Sequence, residues 1–318
     1  MRARTLPSVG VVSAVRLAHR PVMPTPPESP ELAALAALTP RELTPVLLAI
    51  ARAQAARRRP ADLNAQFERD GFVQPSALDA RLLHRLDGFA LDAAAEFQAM
   101  QLSPVAPLGC CSALAPTSQD RTLSTARGTE VVSDPTNVLA LECAARLRRQ
   151  PDEAVRLCAV HQVLRAQPLP PLPGYSRHFR LFVLAEAGPG RADDGFEVDA
   201  IARHIAVMNQ MFDRCAEIGA EFPDRRAVVR ASQSRQVLAD RVCARLATAF
   251  PHLVVARGPL EGSYYAGLRV MFGAGTRAGQ FCPIGDLGLF DWVARLTANR
   301  RHRFVASGLG IQLIPAVF

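Results

Sequence analysis

The sequence predicts an α+β fold, an antiparallel β-sheet flanked by helices with a helical insertion. Three observations lead there. Strand-like runs come in neighbouring pairs, above all 155–164 and 178–185 on either side of the loop QPLPPLPGYS, the order of a hairpin. Helical runs with apolar spacings of three and four lie among them, without the regular strand–helix alternation that builds a parallel sheet. The chain has 318 residues, 49% of them hydrophobic, enough for one large core or a large core with a small appendage.

The first 22 residues are basic (Arg2, Arg4, Arg16, Arg20), with no acid before Glu28. They read as a transit peptide or as an extension upstream of an alternative start at Met23, so 1–30 is expected to be a leader outside the fold. The stretch PTPPESP is a linker. Ser29 is placed to cap a helix from about residue 31, with proline at its first position. Leu32, Leu35 and Leu38 keep near-helical spacing until Pro40. A second helix, capped by Thr39 and running to about residue 57, puts Leu43, Leu47, Ile50 and Ala51 on one face, and Pro60 ends it. Residues 31–78 thus form an N-terminal helical segment, and 79–318 form the main domain.

Within that domain, 79–98 is an amphipathic helix through Leu82, Leu83, Leu86 and Phe89. A short segment with Pro104 follows at 100–108. A brief strand is expected at 130–132 and a helix over 135–147, capped by Asp134. After the hairpin come two amphipathic helices, 198–218 and 232–250, read together as a helical insertion. A strand at 253–257 leads into 264–272. Residues 286–298 read as a strand end and a helix, and a last strand from Phe304 runs into SGLGIQLIP. No internal repeat is visible.

The net charge is +8, and all 37 basic residues are arginines, scattered rather than clustered. In an alanine-rich chain this reads as base composition and solvated surface. Nucleic-acid binding needs a clustered basic face with interleaved aromatics, and aromatics make up 6%. No stretch of about 20 apolar residues is present to span a bilayer. The seven cysteines are odd in number and show no C-x-x-C spacing. They read as free thiols in a reducing cytoplasm, with no structural zinc and no metal site.

Four segments could carry chemistry. In VSDPTN, Asp134 and Thr136 sit two residues apart at a helix start, where a carboxylate can hold an ammonium group and a hydroxyl can add a hydrogen bond; the plain alternative is a helix cap. Across the hairpin, Arg165 faces Arg177, Phe179 and Arg180, which can clamp phosphates and stack on a base, or can simply stud a solvated sheet. In RGPLEGSYYAG, Arg257 precedes a glycine, and Tyr264 and Tyr265 are two of only three tyrosines. GDLGLFDW and SGLGIQL carry glycines that permit close approach of a ligand or a helix. Neither has the spacing of a dinucleotide fingerprint or a P-loop.

Taken together, in order and spacing, these segments resemble the class II aminoacyl-tRNA synthetase catalytic core, closest to the histidyl-tRNA synthetase pattern. The resemblance runs from about Arg81 to the C-terminus. It makes Asp134 and Thr136 the acid-x-Thr element, and Arg165, Arg177 and Phe179 motif 2. Glu186 falls where a substrate-contacting acid is expected. Arg257, Tyr264 and Tyr265 resemble the Arg-Gly and Tyr-Tyr element, Asp291 the acid of Gly-Gly-Arg-Tyr-Asp, and 308–313 motif 3.

The resemblance implies Asp134, Thr136, Glu186, Tyr264, Tyr265 and Asp291 as substrate-binding, and Arg165, Arg177 and Phe179 as nucleotide-binding. Arg165 and Arg257 would be catalytic, with ATP and Mg²⁺ as cofactors. The chain departs from the pattern at Gln167 (for Glu in motif 2), Gln312 and Leu313 (for Glu-Arg in motif 3) and Leu289 (for Arg). The expectation is a core with no anticodon-binding domain.

Three functions are therefore expected. The first is a regulatory paralog of the histidine-biosynthesis type, a homodimer binding an amino acid or related small molecule and partnered by a short ATP phosphoribosyltransferase. The second is an ATP-dependent adenylate-forming ligase acting on a non-tRNA acceptor. The third is a tRNA-binding module.

Overall fold

The computed structural model describes residues 29–169 and 174–318. The expected leader therefore lies outside the described residues except for Ser29 and Pro30. Ser29 does cap α1 (Pro30–Ala36), its side chain accepting from the Leu32 amide. Thr39 opens α2 (Pro40–Ala55) with a capping box, its own amide donating to Glu42 Oε2 at 2.9 Å. A third helix, α3 (Pro60–Arg69), was not expected. Pro60 stops α2 but also suits the first position of a new helix, and Asp62 completes a capping box with Arg59. None of these three helices buries a residue.

The core begins with α4 (Ala80–Ala93), capped by Asp79 and burying Leu86, Phe89 and Ala90. It ends five residues short of the expected 98, because the chain turns into β1 (Gln98–Ala99). Strands β2 (Val105–Pro107) and β3 (Thr129–Val131) form a separate antiparallel ribbon. Helix α5 (Pro135–Leu147) and strand β4 (Val155–Leu164) occupy the expected spans, and β5 (His178–Pro189) runs four residues further than expected.

Next come α6 (Gly195–Arg214), β6 (Arg226–Ala231), α7 (Gln236–Ala249) and β7 (Val254–Pro259). The interval 198–250 therefore holds the two expected helices but is not all helical. Between them RAVVRA alternates inward and outward with the period of a strand and joins the sheet as β6. Then follow β8 (Leu268–Gly275), β9 (Phe281–Leu289), α8 (Trp292–Thr297), β10 (His302–Leu309) and the short α9 (Ile314–Val317). Strand β8 starts at Leu268 rather than at 264, because Gly267, at φ +88°, turns the chain after the tyrosine pair.

The main sheet has the order β1-β4-β5-β10-β9-β8-β6-β7. Its inner pairings are antiparallel, and only the two outermost pairs, β1–β4 and β6–β7, are parallel. The expected α+β class with a largely antiparallel sheet is the class observed. The alternation of β5 shows how the sheet divides the interior. Phe182 and Leu184 pack with α4, α6 and α7 on one face, and Val183 and Ala185 pack with α5 and α8 on the other.

Candidate ligand site

A cavity of about 560 Å³ opens on the α5 face of the sheet, a size suited to a small molecule. Asp134 stands at its wall because it caps α5. Its Oδ1 accepts from the Thr136 amide at 3.0 Å and the Thr136 hydroxyl at 2.7 Å, and its Oδ2 accepts from the Tyr264 hydroxyl at 3.3 Å. Arg165, at the end of β4, donates from Nε to the Ser133 carbonyl at 2.7 Å, and its Nη2 lies 3.8 Å from Asp134 Oδ2. Its guanidinium lies over the Phe179 ring, 5.2 Å from the centre.

Burial first, and Asp134 second, push the Tyr264 phenol well above its ordinary range, so it stays a hydrogen-bond donor to Asp134. Tyr265 is raised too, by burial and then by Asp286. The two tyrosines meet edge to face at 5.0 Å, and Tyr264 packs the same way on Phe290 and Trp292.

The wall also holds residues that the motif reading missed. Arg121 donates to the Gln167 carboxamide at 2.6 Å, and burial, with Arg165 nearby, pulls its pKa down. Arg269 makes a two-pronged pair with Asp286, at 2.7 and 2.6 Å. Asn137 is buried, and its side-chain oxygen has no hydrogen-bond partner. Arg269 and Asp286 could have been singled out as charges inside otherwise apolar strand runs, LRVMFGAG and FCPIGDLGL. Asn137 stands one turn after Asp134 in the same element. Arg121, at the end of a single 3-10 turn (Gln119–Arg121), left no signal.

Of the residues singled out from sequence, Asp134, Thr136, Arg165, Phe179, Tyr264 and Tyr265 line this one cavity. Five do not, each for a reason of strand parity or packing; Arg180, for one, turns to Asp87, whose Oδ2 accepts from its Nε at 3.2 Å. Arg257 lies on the edge strand β7 opposite Val229, on the α7 side of the sheet, and pairs with Asp240 and Gln236. Glu186 points to the α6 face, where Arg203 (2.9 Å) and Arg156 (3.3 Å) hold it; burial raises its pKa against their pull.

Asp291 is exposed beside Arg295, and Phe290 takes the place at the cavity. Arg177 turns away to lie over Phe72, 5.0 Å from the ring centre, and donates to the Gln167 carbonyl. At the other end, the Gln312 carboxamide is fully engaged. Its oxygen accepts from the Arg180 amide at 3.2 Å, and its nitrogen donates to Ser76 and Ser176, each at 3.2 Å.

The chain has the fold of the class II aminoacyl-tRNA synthetase catalytic core. Among solved structures, it is similar to an ATP phosphoribosyltransferase regulatory subunit/histidyl-tRNA synthetase from Bacillus halodurans, at 13% identity over 76% of this chain and 81% of that one, with a TM-score of 0.55. It is also similar to the apo histidyl-tRNA synthetase of S. aureus, at 11% identity over 78% and 68% of the chains, with a TM-score of 0.58. A putative threonyl-tRNA synthetase from Aeropyrum pernix matches at 12% identity over 74% and 59%, with a TM-score of 0.56. No protein-family model and no curated protein matches the amino-acid sequence.

Proposed function

We propose that this protein binds a free amino acid, or a closely related small molecule, and acts as a synthetase-like regulatory subunit of the histidine-biosynthesis type rather than as a ligase. One observation carries the reading: Asp134, Thr136, Tyr264 and Arg165 converge at one wall of the cavity. Asp134 Oδ2, with a long bond from Tyr264, has room to take an α-ammonium group, and the Arg165 guanidinium beside it is placed for the α-carboxylate. Neutral Tyr264 keeps the acid oriented.

The nucleotide half is poorer. Leu313 stands where an arginine would meet the base and phosphates, Arg177 is spent on Phe72, and Gln167 and Gln312 replace carboxylates with uncharged amides. These replacements fall on the nucleotide side of the resemblance, which favours the regulatory reading over a ligase.

In this reading the protein works as a cytoplasmic homodimer beside a short ATP phosphoribosyltransferase; the free state of all seven cysteines suits a reducing compartment. The retained stacking of Arg165 on Phe179 is what favours the competing reading, an adenylate-forming ligase. Two measurements on the purified protein decide between them. Calorimetric titration with amino acids is expected to show saturable binding, and amino-acid-dependent exchange of pyrophosphate into ATP is expected to be absent. Exchange above background overturns the regulatory reading, and failure of every amino acid to bind overturns both.

A further inference from the structure

Arg121 is the charge of the cavity wall for which the readings above give no role. It ends the turn Gln119–Arg121, and its carbonyl accepts from the Ala166 amide at 2.8 Å, which fixes it beside Arg165. Its half-buried guanidinium donates from Nη2 to the Gln167 carboxamide oxygen at 2.6 Å and forms no ion pair among the described residues. Burial, and then the repulsion of Arg165, pull its pKa down. A guanidinium nevertheless stays charged at any ordinary pH, so Arg121 is a cation without a carboxylate partner and with no means of discharging.

Position 167 explains why. The resemblance to motif 2 calls for an acid there, and an acid in the contact that Gln167 makes would neutralise Arg121. A carboxamide has the same shape and keeps the hydrogen bond but carries no charge. The other arginines of the wall are answered. Arg269 is closed by both oxygens of Asp286, at 2.7 and 2.6 Å, and Arg165 has Asp134 Oδ2 at 3.8 Å. Glu261, the remaining acid of the wall, is exposed to solvent, where water screens it. The interior wall therefore sets three arginines against two aspartates, and the excess positive charge lies next to the Asp134–Arg165 pair.

A zwitterionic amino acid leaves that excess as it is. Its ammonium group takes Asp134, its α-carboxylate takes Arg165, and Arg121 is then closed off from water as a buried cation without a partner. A second carboxylate on the ligand removes the excess and gives the free donors of Arg121 a charged acceptor. Resting on the reading of this cavity as an amino-acid site, we infer that the ligand is a dicarboxylic amino acid, its side-chain carboxylate paired with Arg121.

Calorimetric titration of the full chain with aspartate, glutamate, asparagine, glutamine, histidine, leucine and inorganic pyrophosphate tests this. One of the two acids is expected to bind at least about tenfold more tightly than its own amide, and than histidine or leucine. Pyrophosphate is expected not to bind. Gln167→Glu keeps the hydrogen bond to Arg121 and supplies the charge that Gln167 lacks, so it is expected to remove the advantage of the acid over its amide. Arg121→Gln is expected to do the same with little change in the affinity for the amide, and near-UV circular dichroism shows whether either variant is folded. If a neutral amino acid binds the wild type as tightly as the acids, or the advantage of the acid survives in folded Gln167→Glu, the inference is overturned while the amino-acid reading stands. Pyrophosphate binding that Gln167→Glu abolishes assigns Arg121 to a phosphate and overturns the inference too. If no amino acid binds, the amino-acid reading fails and the inference with it.

Discussion

Glu186 shows how one residue's parity on a strand decides its role. Its neighbours Ala185 and Ala187 face the cavity side, so it must face α6, where it is almost fully buried between Arg203 and Arg156. Glu186→Ala leaves both arginines without their acceptor and is expected to cost about 3 kcal/mol in urea unfolding, and Glu186→Gln, which keeps an acceptor, about 1 kcal/mol. Neither is expected to change amino-acid affinity, and a tenfold loss in the Gln variant would return Glu186 to the site.

His204, with Nε2 at 3.6 Å from Glu186, is completely buried, and burial, aided by Arg203, pushes its pKa down to about 3. A group depressed in the folded state binds its proton more readily when unfolded. Its contribution is therefore intact above the unfolded value of about 6.5 and is lost as pH falls from there toward 3, by up to about 1.4 kcal/mol per pH unit. Glu186 has the opposite sign: its raised pKa favours the fold at low pH, and that advantage fades as pH rises. Comparing wild type with His204→Leu separates the two. The variant should lose stability less steeply than wild type between pH 7 and 5, and parallel slopes would show that His204 does not set the dependence.

At the scale of elements, what could be read in advance was whatever rests on local chemistry. Asp134 and Ser29 announced their helices because a side-chain oxygen at the cap satisfies amides that nothing else reaches. The long strands of the hairpin announced themselves by apolar runs between turn residues. Element β6 was hidden because six residues with two arginines, Arg226 and Arg230, between two strong helices, look like a helix connection. Only its pairing with β7 and β8 makes it a strand.

The same limit governs the site. Asp134 and Thr136 meet through two residues of chain, but whether Arg257 reaches them depends on which face of an edge strand it occupies, which spacing does not encode. Helices α1 and α2 give the converse case, clear from sequence yet carrying little weight in the fold. Since α1, α2 and α3 bury no residue, shortening a chain that starts at Ser29 to one that starts at Asp70 should change the unfolding free energy in urea by less than about 0.5 kcal/mol. The contacts of Phe72 with Arg177 and of Ser76 with Gln312 stay on the retained side. A larger loss would mean that these helices cover apolar surface in solution.

Across the whole molecule, the sheet is the one element shared by both interior faces, and this sets how the protein unfolds. Strand β10 sends Phe304 and Ala306 to the α5 side and Val305 and Leu309 to the α6 side. Neither face can therefore lose its packing while the other keeps an intact sheet, and residues 80–318 should unfold as one cooperative unit. The single tryptophan makes the test direct. Trp292 is buried on the α5 side, stacked on Phe290 at 4.0 Å, so its fluorescence reports the cavity face alone, whereas far-ultraviolet circular dichroism reports helices on both faces. In urea the two probes should give the same midpoint, and a bound amino acid should raise both equally, because a ligand that binds only the folded state stabilises the whole of a cooperative unit. Fluorescence that changes at lower urea than the dichroism would mean that the cavity face opens on its own. The ligand should then raise only the fluorescence midpoint, and the site would be a locally stabilised flap rather than part of the fold's core.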